Sequence, residues 1–333
     1  MNIRVVVIGG GSWGTTVASL AAKNTHTTLW ARRPDVAKEV DTRHTNSLYL
    51  PGYQLTPSLR ATDSLEDAVS QGDVLVMGVP SHGFRQTLEM AAEYVRPWVP
   101  VVSLTKGLEQ HSNLRMTQVV NELLPGHPAG VLTGPNLAKE ILAGDAAASV
   151  VAMSEPHIAE VLQRVFSSDL FRVYTNPDVI GCEMAGALKN VIALAAGIAD
   201  GLGTGDNTKA AVITRGLAEL SRLGVAMGGR PETMAGLAGM GDLVATCISR
   251  QSRNRYVGEQ LGKGRSLEDI ATEMNQVAEG VKSTRVVMAL ARQYGVDMPI
   301  CAEMDAVVNV GRSAQEAYRG LLRRSPKPEM RDR

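Results

Sequence analysis

The side chains best placed to do chemistry fall in a few short segments. One is Gly186-Ala187-Leu188-Lys189-Asn190, where a lysine interrupts an apolar run of helical spacing. A charge is costly to bury there unpaired, so a cleft position would lower the amine's pKa towards neutrality and make Lys189 a candidate acid/base. For an isolated lysine the competing reading is an ammonium that snorkels from a core helix to the surface, but the adjacent Asn190 and the glycines favour the cleft. Thr105-Lys106-Gly107-Leu108, Gly239-Met240-Gly241-Asp242 and Ser252-Arg253-Asn254-Arg255 also concentrate reactive groups where loops or helix starts are expected. Metal chemistry is not indicated. The six histidines are scattered, and Cys182, Cys247 and Cys301 lack Cys-x-x-Cys spacing and read as reduced thiols.

At the amino terminus an apolar strand pattern from Arg4 to Ile8 runs directly into Gly9-x-Gly11-x-x-Gly14, with Ser12 and Trp13 inside the motif and a helical pattern after it. In that context the motif predicts dinucleotide binding. Gly9 permits the tight turn, Gly11 lets a pyrophosphate approach the backbone, and Gly14 lets helix and strand pack closely. The next strand candidate ends in Trp30-Ala31-Arg32-Arg33-Pro34, with no acid to bind a ribose 2′-hydroxyl. Two guanidinium groups suit a 2′-phosphate or stack on adenine, which favours NADP(H). A merely solvated strand end is the plainer alternative, and Asp35 leaves NAD(H) open.

The scaffold for these segments is legible as alternation. Short Val/Ile/Leu runs at residues 3–8, 27–30, 74–79, 101–104, 130–133, 149–153 and 171–174 are separated by stretches of helical period. They predict an α/β fold: an N-terminal, Rossmann-type doubly wound parallel sheet, with ligands beyond the carboxyl ends of the strands. After Asn176-Pro177 the texture becomes Ala, Leu, Met and Gly at spacings of three and four, predicting an all-helical C-terminal domain. Met184, Leu188, Val191, Ile192, Ala195 and Ile198 share one helical face, with Gly186 and Gly197 expected to let neighbouring helices approach. The expected division is a dinucleotide-binding domain over 1–176, a helical substrate-binding domain over 177–324 and a flexible tail over 325–333.

Composition excludes other classes. With 333 residues, 44% hydrophobic and 20% charged, the chain can bury a sizeable core, and Lys plus Arg (34) equals Asp plus Glu (34). There is no long-range field to attract nucleic acid or an acidic membrane. The start lacks the features of an export signal, and no uninterrupted apolar run is long enough to span a bilayer, so a cytoplasmic protein without membrane insertion is expected.

Over nearly its whole length the chain resembles bacterial-type, NAD(P)-dependent glycerol-3-phosphate dehydrogenases. The resemblance rests on ordered blocks: Gly11-Ser-Trp-Gly-Thr15, Val79-Pro-Ser-His82, Thr105-Lys-Gly-Leu-Glu109, Gly134-Pro-Asn-Leu-Ala-Lys-Glu140, Gly186-Ala-Leu-Lys-Asn-Val-Ile192, Asp200-Gly-Leu-Gly-Thr-Gly-Asp-Asn-Thr-Lys-Ala-Ala211, Gly236-Leu-Ala-Gly-Met-Gly-Asp-Leu243, Ser252-Arg-Asn-Arg255 and Val277-Ala-Glu-Gly280. It implies Lys189 as proton donor or acceptor, with Lys106 and Asp242 completing the catalytic set. It places substrate contacts on Lys106, Gly134, Asn136, Lys189, Asn190, Asp242, Ser252, Arg253 and Asn254. Cofactor contacts fall on Ser12, Trp13, Arg32, Arg33, Lys106, Ala138, Arg253, Val277 and Glu279. Position 136 departs from the pattern, since many relatives carry Ser or Thr in a Gly-Pro-Ser-Phe-Ala block; an amide still reaches a substrate hydroxyl. Asp242 capping a helix and Val277 packing in the core are the plainer alternatives at those positions.

The implied reaction is hydride transfer between NADP(H) or NAD(H) and C2 of dihydroxyacetone phosphate, giving sn-glycerol 3-phosphate for glycerophospholipid synthesis. Negative charge develops on the carbonyl oxygen, where an ammonium stabilises it and donates a proton. Lys106 would push the Lys189 pKa down and Asp242 would pull it up. Arg253 at a helix start can grip the phosphate bidentately. A homodimer is expected from the resemblance and from common symmetry. The rivals are a two-domain hydroxyacid or ketopantoate-type reductase, against which the Ser252-Arg253-Asn254 block argues, and a non-catalytic nucleotide sensor, against which the retained lysines argue.

Overall fold

The computed structural model describes residues 1–274 and 278–325. Ten strands appear among them: β1 Arg4–Ile8, β2 His26–Trp30, β3 Thr45–Asn46, β4 Leu50–Gln54, β5 Arg60–Thr62, β6 Val74–Met77, β7 Val101–Ser103, β8 Ala129–Thr133, β9 Ala147–Ala152 and β10 Phe171–Asn176. Eight form one sheet in the order β10-β9-β8-β7-β6-β1-β2-β5, while β3 and β4 make a separate hairpin. Strand order reverses at β1, which pairs in parallel with β2 on one side and β6 on the other. This is the doubly wound switch point, where a crevice opens at the carboxyl ends. The expected doubly wound parallel sheet is found, with one antiparallel pair within it. β9 runs antiparallel to β8, with Leu132 opposite Val151, and β10 then runs parallel to β9.

The strands are apolar on both faces because both are covered. Val5 and Val7 point into one cluster with Val17, Leu29, Val76 and Phe171. Val6 and Ile8 point into the other with Leu75, Met77, Phe84 and Val101. Each such fully buried side chain contributes about 1.5–3 kcal/mol.

No strand follows Asn176 among the described residues. The helix Val179–Gly201 starts at Asp178, whose carboxylate accepts the N–H groups of Gly181 (2.8 Å) and Arg230 (2.7 Å). It is long and apolar enough to cross a membrane, yet it is the core of the helical half. Burial surrounds it rather than following one face: every residue from Gly181 to Ala199 is buried. Neighbouring helices Asp206–Ala226, Asp242–Ile248, Arg253–Gly262 and Glu279–Gln293 enclose it.

Its contact with Arg253–Gly262 is the tightest, because glycines face each other. A Cβ on Gly197 would lie 2.0 Å from the Arg255 carbonyl oxygen, and one on Gly258 2.1 Å from that of Leu194; Gly201 and Gly262 repeat the arrangement one turn on. Gly197 therefore admits a helix as expected. Gly186 instead faces the side chains of Thr133 and Lys106, leaving room for the lysine stem.

Candidate active site

The glycine turn has the geometry a dinucleotide requires. Gly9 adopts φ +120°, and a Cβ there would come within 2.5 Å of the Gly78 carbonyl oxygen. Gly14 packs against the Gly9 carbonyl, where a Cβ would stand 2.1 Å away, whereas a Cβ on Gly11 would meet nothing within 4 Å. That open space lies at the start of helix Ser12–Ala21, whose first N–H groups lack intrahelical acceptors and favour a pyrophosphate. Ser12 also donates to the Tyr49 carbonyl at 3.0 Å. The Trp13 ring stacks edge-on against Phe171, with centroids 6.4 Å apart, so it serves the core. Arg32 and Arg33 are exposed at the end of β2. They are not equivalent, because Arg33 makes two hydrogen bonds to Asp35, at 3.1 and 2.7 Å.

Four chain segments converge at the carboxyl edge. Lys106, in the loop after β7, donates to the Gly134 carbonyl (2.9 Å), Asn136 Oδ1 (2.5 Å) and Asp242 Oδ2 (2.8 Å). Lys189, only 5% exposed, donates to the other Asp242 oxygen and to Thr246 Oγ1 at 2.7 Å. Burial pushes the Lys189 amine down to about 7; the Asp242 charge opposes the shift and the Lys106 ammonium adds to it. The expected directions are those found. Asp242 is the first residue of helix Asp242–Ile248, but its side chain bridges the lysines rather than capping.

A second set of bonds holds the cluster in place. Asn190 donates to the Lys106 carbonyl (2.8 Å), Asn254 donates to Asn190 Oδ1 (2.9 Å), and the Gly280 N–H donates to Asn254 Oδ1 (2.9 Å). Ser252 caps helix Arg253–Gly262 by accepting from the Arg255 N–H. The Arg253 guanidinium at the head of that helix is lowered from its usual range by burial, with Glu279 opposing. Glu279 accepts from Ser81 at 2.9 Å, joining the two halves beside Gly107. Ala138 opens helix Ala138–Ala143. Val277 lies outside the described residues, as does most of the expected tail, residues 326–333.

Thr246 and Ser149 were not anticipated. Thr246 stands four residues after Asp242 on one helix face, a spacing that could have revealed it. It donates to the Asp242 carbonyl (2.6 Å), which leaves a lone pair for Lys189. Ser149 receives the Asn136 amide at 3.1 Å and donates to the Thr133 carbonyl, so it aims the side chain at position 136. Among the described residues, no group of three or more His, Cys, Asp or Glu could hold a metal ion.

A glycine turn at the switch point of a doubly wound sheet, with two lysines that share a carboxylate at the same carboxyl edge, defines a nicotinamide-dependent oxidoreductase. The chain belongs to the NAD-dependent glycerol-3-phosphate dehydrogenase family, whose N-terminal model matches residues 4–159 and whose C-terminal model matches residues 178–319. It is 57% identical to glycerol-3-phosphate dehydrogenase (NAD(P)+) 2 of Sphingopyxis alaskensis over 98% of both chains. It is 55% identical to the glycerol-3-phosphate dehydrogenase (NAD(P)+) of Mycobacterium avium, over 98% of this chain and 96% of that one. Among solved structures, glycerol-3-phosphate dehydrogenase from Coxiella burnetii is similar with a TM-score of 0.92 and 35% identity, over 97% of this chain and 99% of that one.

Proposed function

We propose that the protein catalyses reversible hydride transfer between NAD(P)H and dihydroxyacetone phosphate, yielding sn-glycerol 3-phosphate. The observation that carries this reading is the buried Lys189 amine, held by Asp242 and Thr246 and depressed to about 7. When bound, the nicotinamide supplies the hydride to C2 or takes it back. Two of the three Lys189 ammonium hydrogens serve Asp242 and Thr246; the third is the proton for the carbonyl oxygen. All three Lys106 hydrogens are engaged, so that residue acts as a fixed positive charge beside the developing oxyanion.

Gly134, Asn136 and Asn190 border the substrate in this reading. Ser252, Arg253 and Asn254 receive its phosphate at a helix start, where a dianion would offset the desolvation of the guanidinium. The pyrophosphate lies on Gly9, Gly11, Ser12, Trp13 and Gly14, the adenosine end on Arg32 and Arg33, and the nicotinamide end near Lys106, Ala138, Arg253 and Glu279. The division falls after residue 176, with a dinucleotide-binding domain before it and a substrate domain over 177–324. A cytoplasmic homodimer without membrane insertion, supplying glycerophospholipid synthesis, completes the proposal.

The experiment is a nicotinamide absorbance assay with dihydroxyacetone phosphate and each cofactor, with the product identified as sn-glycerol 3-phosphate. Saturable oxidation of NADPH or NADH is the expected result. Tight NADPH binding without turnover would point instead to a nucleotide sensor, and turnover confined to unphosphorylated keto acids would point to the rival reductase.

A further inference from the structure

The β3–β4 hairpin, which has no strand pattern in the sequence, leans over the glycine turn and is tied to it by a buried amide. Asn46 is 0% exposed, and its Nδ2 donates to the Gly10 carbonyl and to Thr15 Oγ1, both at 2.9 Å. Its Oδ1 accepts the Tyr49 N–H at 3.3 Å, closing the hairpin turn on itself. Two further ties fix that turn: Ser12 donates to the Tyr49 carbonyl, and Glu39 Oε1 accepts from Thr45 Oγ1, Ser47 N–H and Ser47 Oγ at 2.6–2.8 Å.

The Gly10 carbonyl is therefore immobilised from outside the motif. Because a peptide unit is planar and trans, fixing that oxygen also fixes the opposite direction of the Gly11 N–H, at the position where the backbone is open to solvent. The Gly10 side is closed: a Cβ there would lie 2.9 Å from the Ala31 Cβ. Thr15 is the residue whose N–H makes the first helical bond, to Gly11 at 2.9 Å. Asn46 thus grips both ends of the segment that carries the unpaired amides, Gly10 before them and Thr15 after.

We infer that Asn46 is a positioning residue for dinucleotide binding, pre-orienting the pyrophosphate-binding amides without touching the cofactor. The inference rests on the dinucleotide reading of the glycine turn. Its effect falls on a part common to NADPH and NADH, and so differs from that of Arg32 and Arg33.

The test is cofactor affinity by nicotinamide fluorescence and steady-state kinetics for Asn46→Ala and the isosteric Asn46→Asp. Asn46→Ala is expected to raise Kd and KM for both cofactors in equal proportion by about tenfold, the equivalent of one buried hydrogen bond, with kcat at saturating cofactor retained. Asn46→Asp, which turns a carboxylate towards the Gly10 carbonyl, is expected to lose at least as much affinity and to regain part of it as pH falls. A lowered Tm with unchanged affinity would make Asn46 merely structural and overturn the inference, as would a changed NADPH-to-NADH ratio. If Asn46→Ala does not fold, the affinity and pH response of Asn46→Asp decide alone. Failure of the wild type to bind either cofactor would instead remove the dinucleotide reading; binding that weakens in Arg32→Ala but not in the Asn46 variants removes only this inference.

Discussion

Lys106 Nζ stands 2.8 Å from Asp242 Oδ2, so a loop of the sheet half and a helix of the other half share a charge contact. The second oxygen of the same carboxylate serves Lys189. One anion thus sets the spacing between the two amines.

Asp242→Asn keeps the shape and removes the charge. With both ammonium groups left in a buried site without it, the Lys189 amine falls further, and kcat for ketone reduction should drop by about 10²-fold or more. Cofactor affinity should stay near wild type. Lys189→Ala should show a comparable loss below about pH 7, shrinking as the wild-type amine deprotonates above it, and near-normal turnover of either variant at low pH would exclude the proposed proton path.

The depressed Lys189 amine predicts opposite pH responses for the two directions. Reduction needs the ammonium, which persists below about 7; oxidation needs the free amine, which prevails above it. Accordingly kcat/KM for dihydroxyacetone phosphate should fall about tenfold per pH unit above the inflection, while kcat/KM for sn-glycerol 3-phosphate should rise up to it and then level. Profiles inflecting in the same direction would rule out a single shared amine.

Arg253 heads a helix whose cap, Ser252, already serves the Arg255 N–H. Replacing it with Ala should raise KM for dihydroxyacetone phosphate by about 10²-fold, but alter turnover of dihydroxyacetone by less than about threefold. Parallel losses on both substrates would move the phosphate elsewhere.

Arg33 is engaged by Asp35 in an exposed pair that solvent screens, whereas Arg32 has no such carboxylate partner among the described residues. Arg32→Ala should therefore weaken NADPH relative to NADH by about tenfold, and Arg33→Ala by less. Fluorescence titration with both cofactors measures the ratio; equal weakening of NADPH and NADH in both variants would separate these arginines from the 2′-phosphate.

The sequence announced what burial and periodicity encode. Strands such as Arg4–Ile8 and Val74–Met77 are apolar on both faces and stand out from any neighbour. The hairpin did not, because Leu50–Gln54 contains Pro51 and Gly52 and is largely exposed, and Thr45–Asn46 is too short to show a period. The reversal of Ala147–Ala152 was equally hidden, since alternation carries no direction. At the site, Lys189 betrayed itself by being charged in an apolar run. Thr246, Ser149 and Asn46 are small polar residues whose importance lies in what they touch, and the residue type alone does not reveal it.

The facing glycines of Val179–Gly201 and Arg253–Gly262 bear on how the active site could change over evolution. A single methyl at Gly197, Gly201, Gly258 or Gly262 would collide with the opposite backbone, so the two rods cannot be wedged apart gradually to admit a bulkier ligand. Drift in substrate size is thereby channelled into the surrounding loops, and under the proposed function the fixed span from Lys189 to the helix start at Arg253 would act as a built-in ruler for a short-chain molecule.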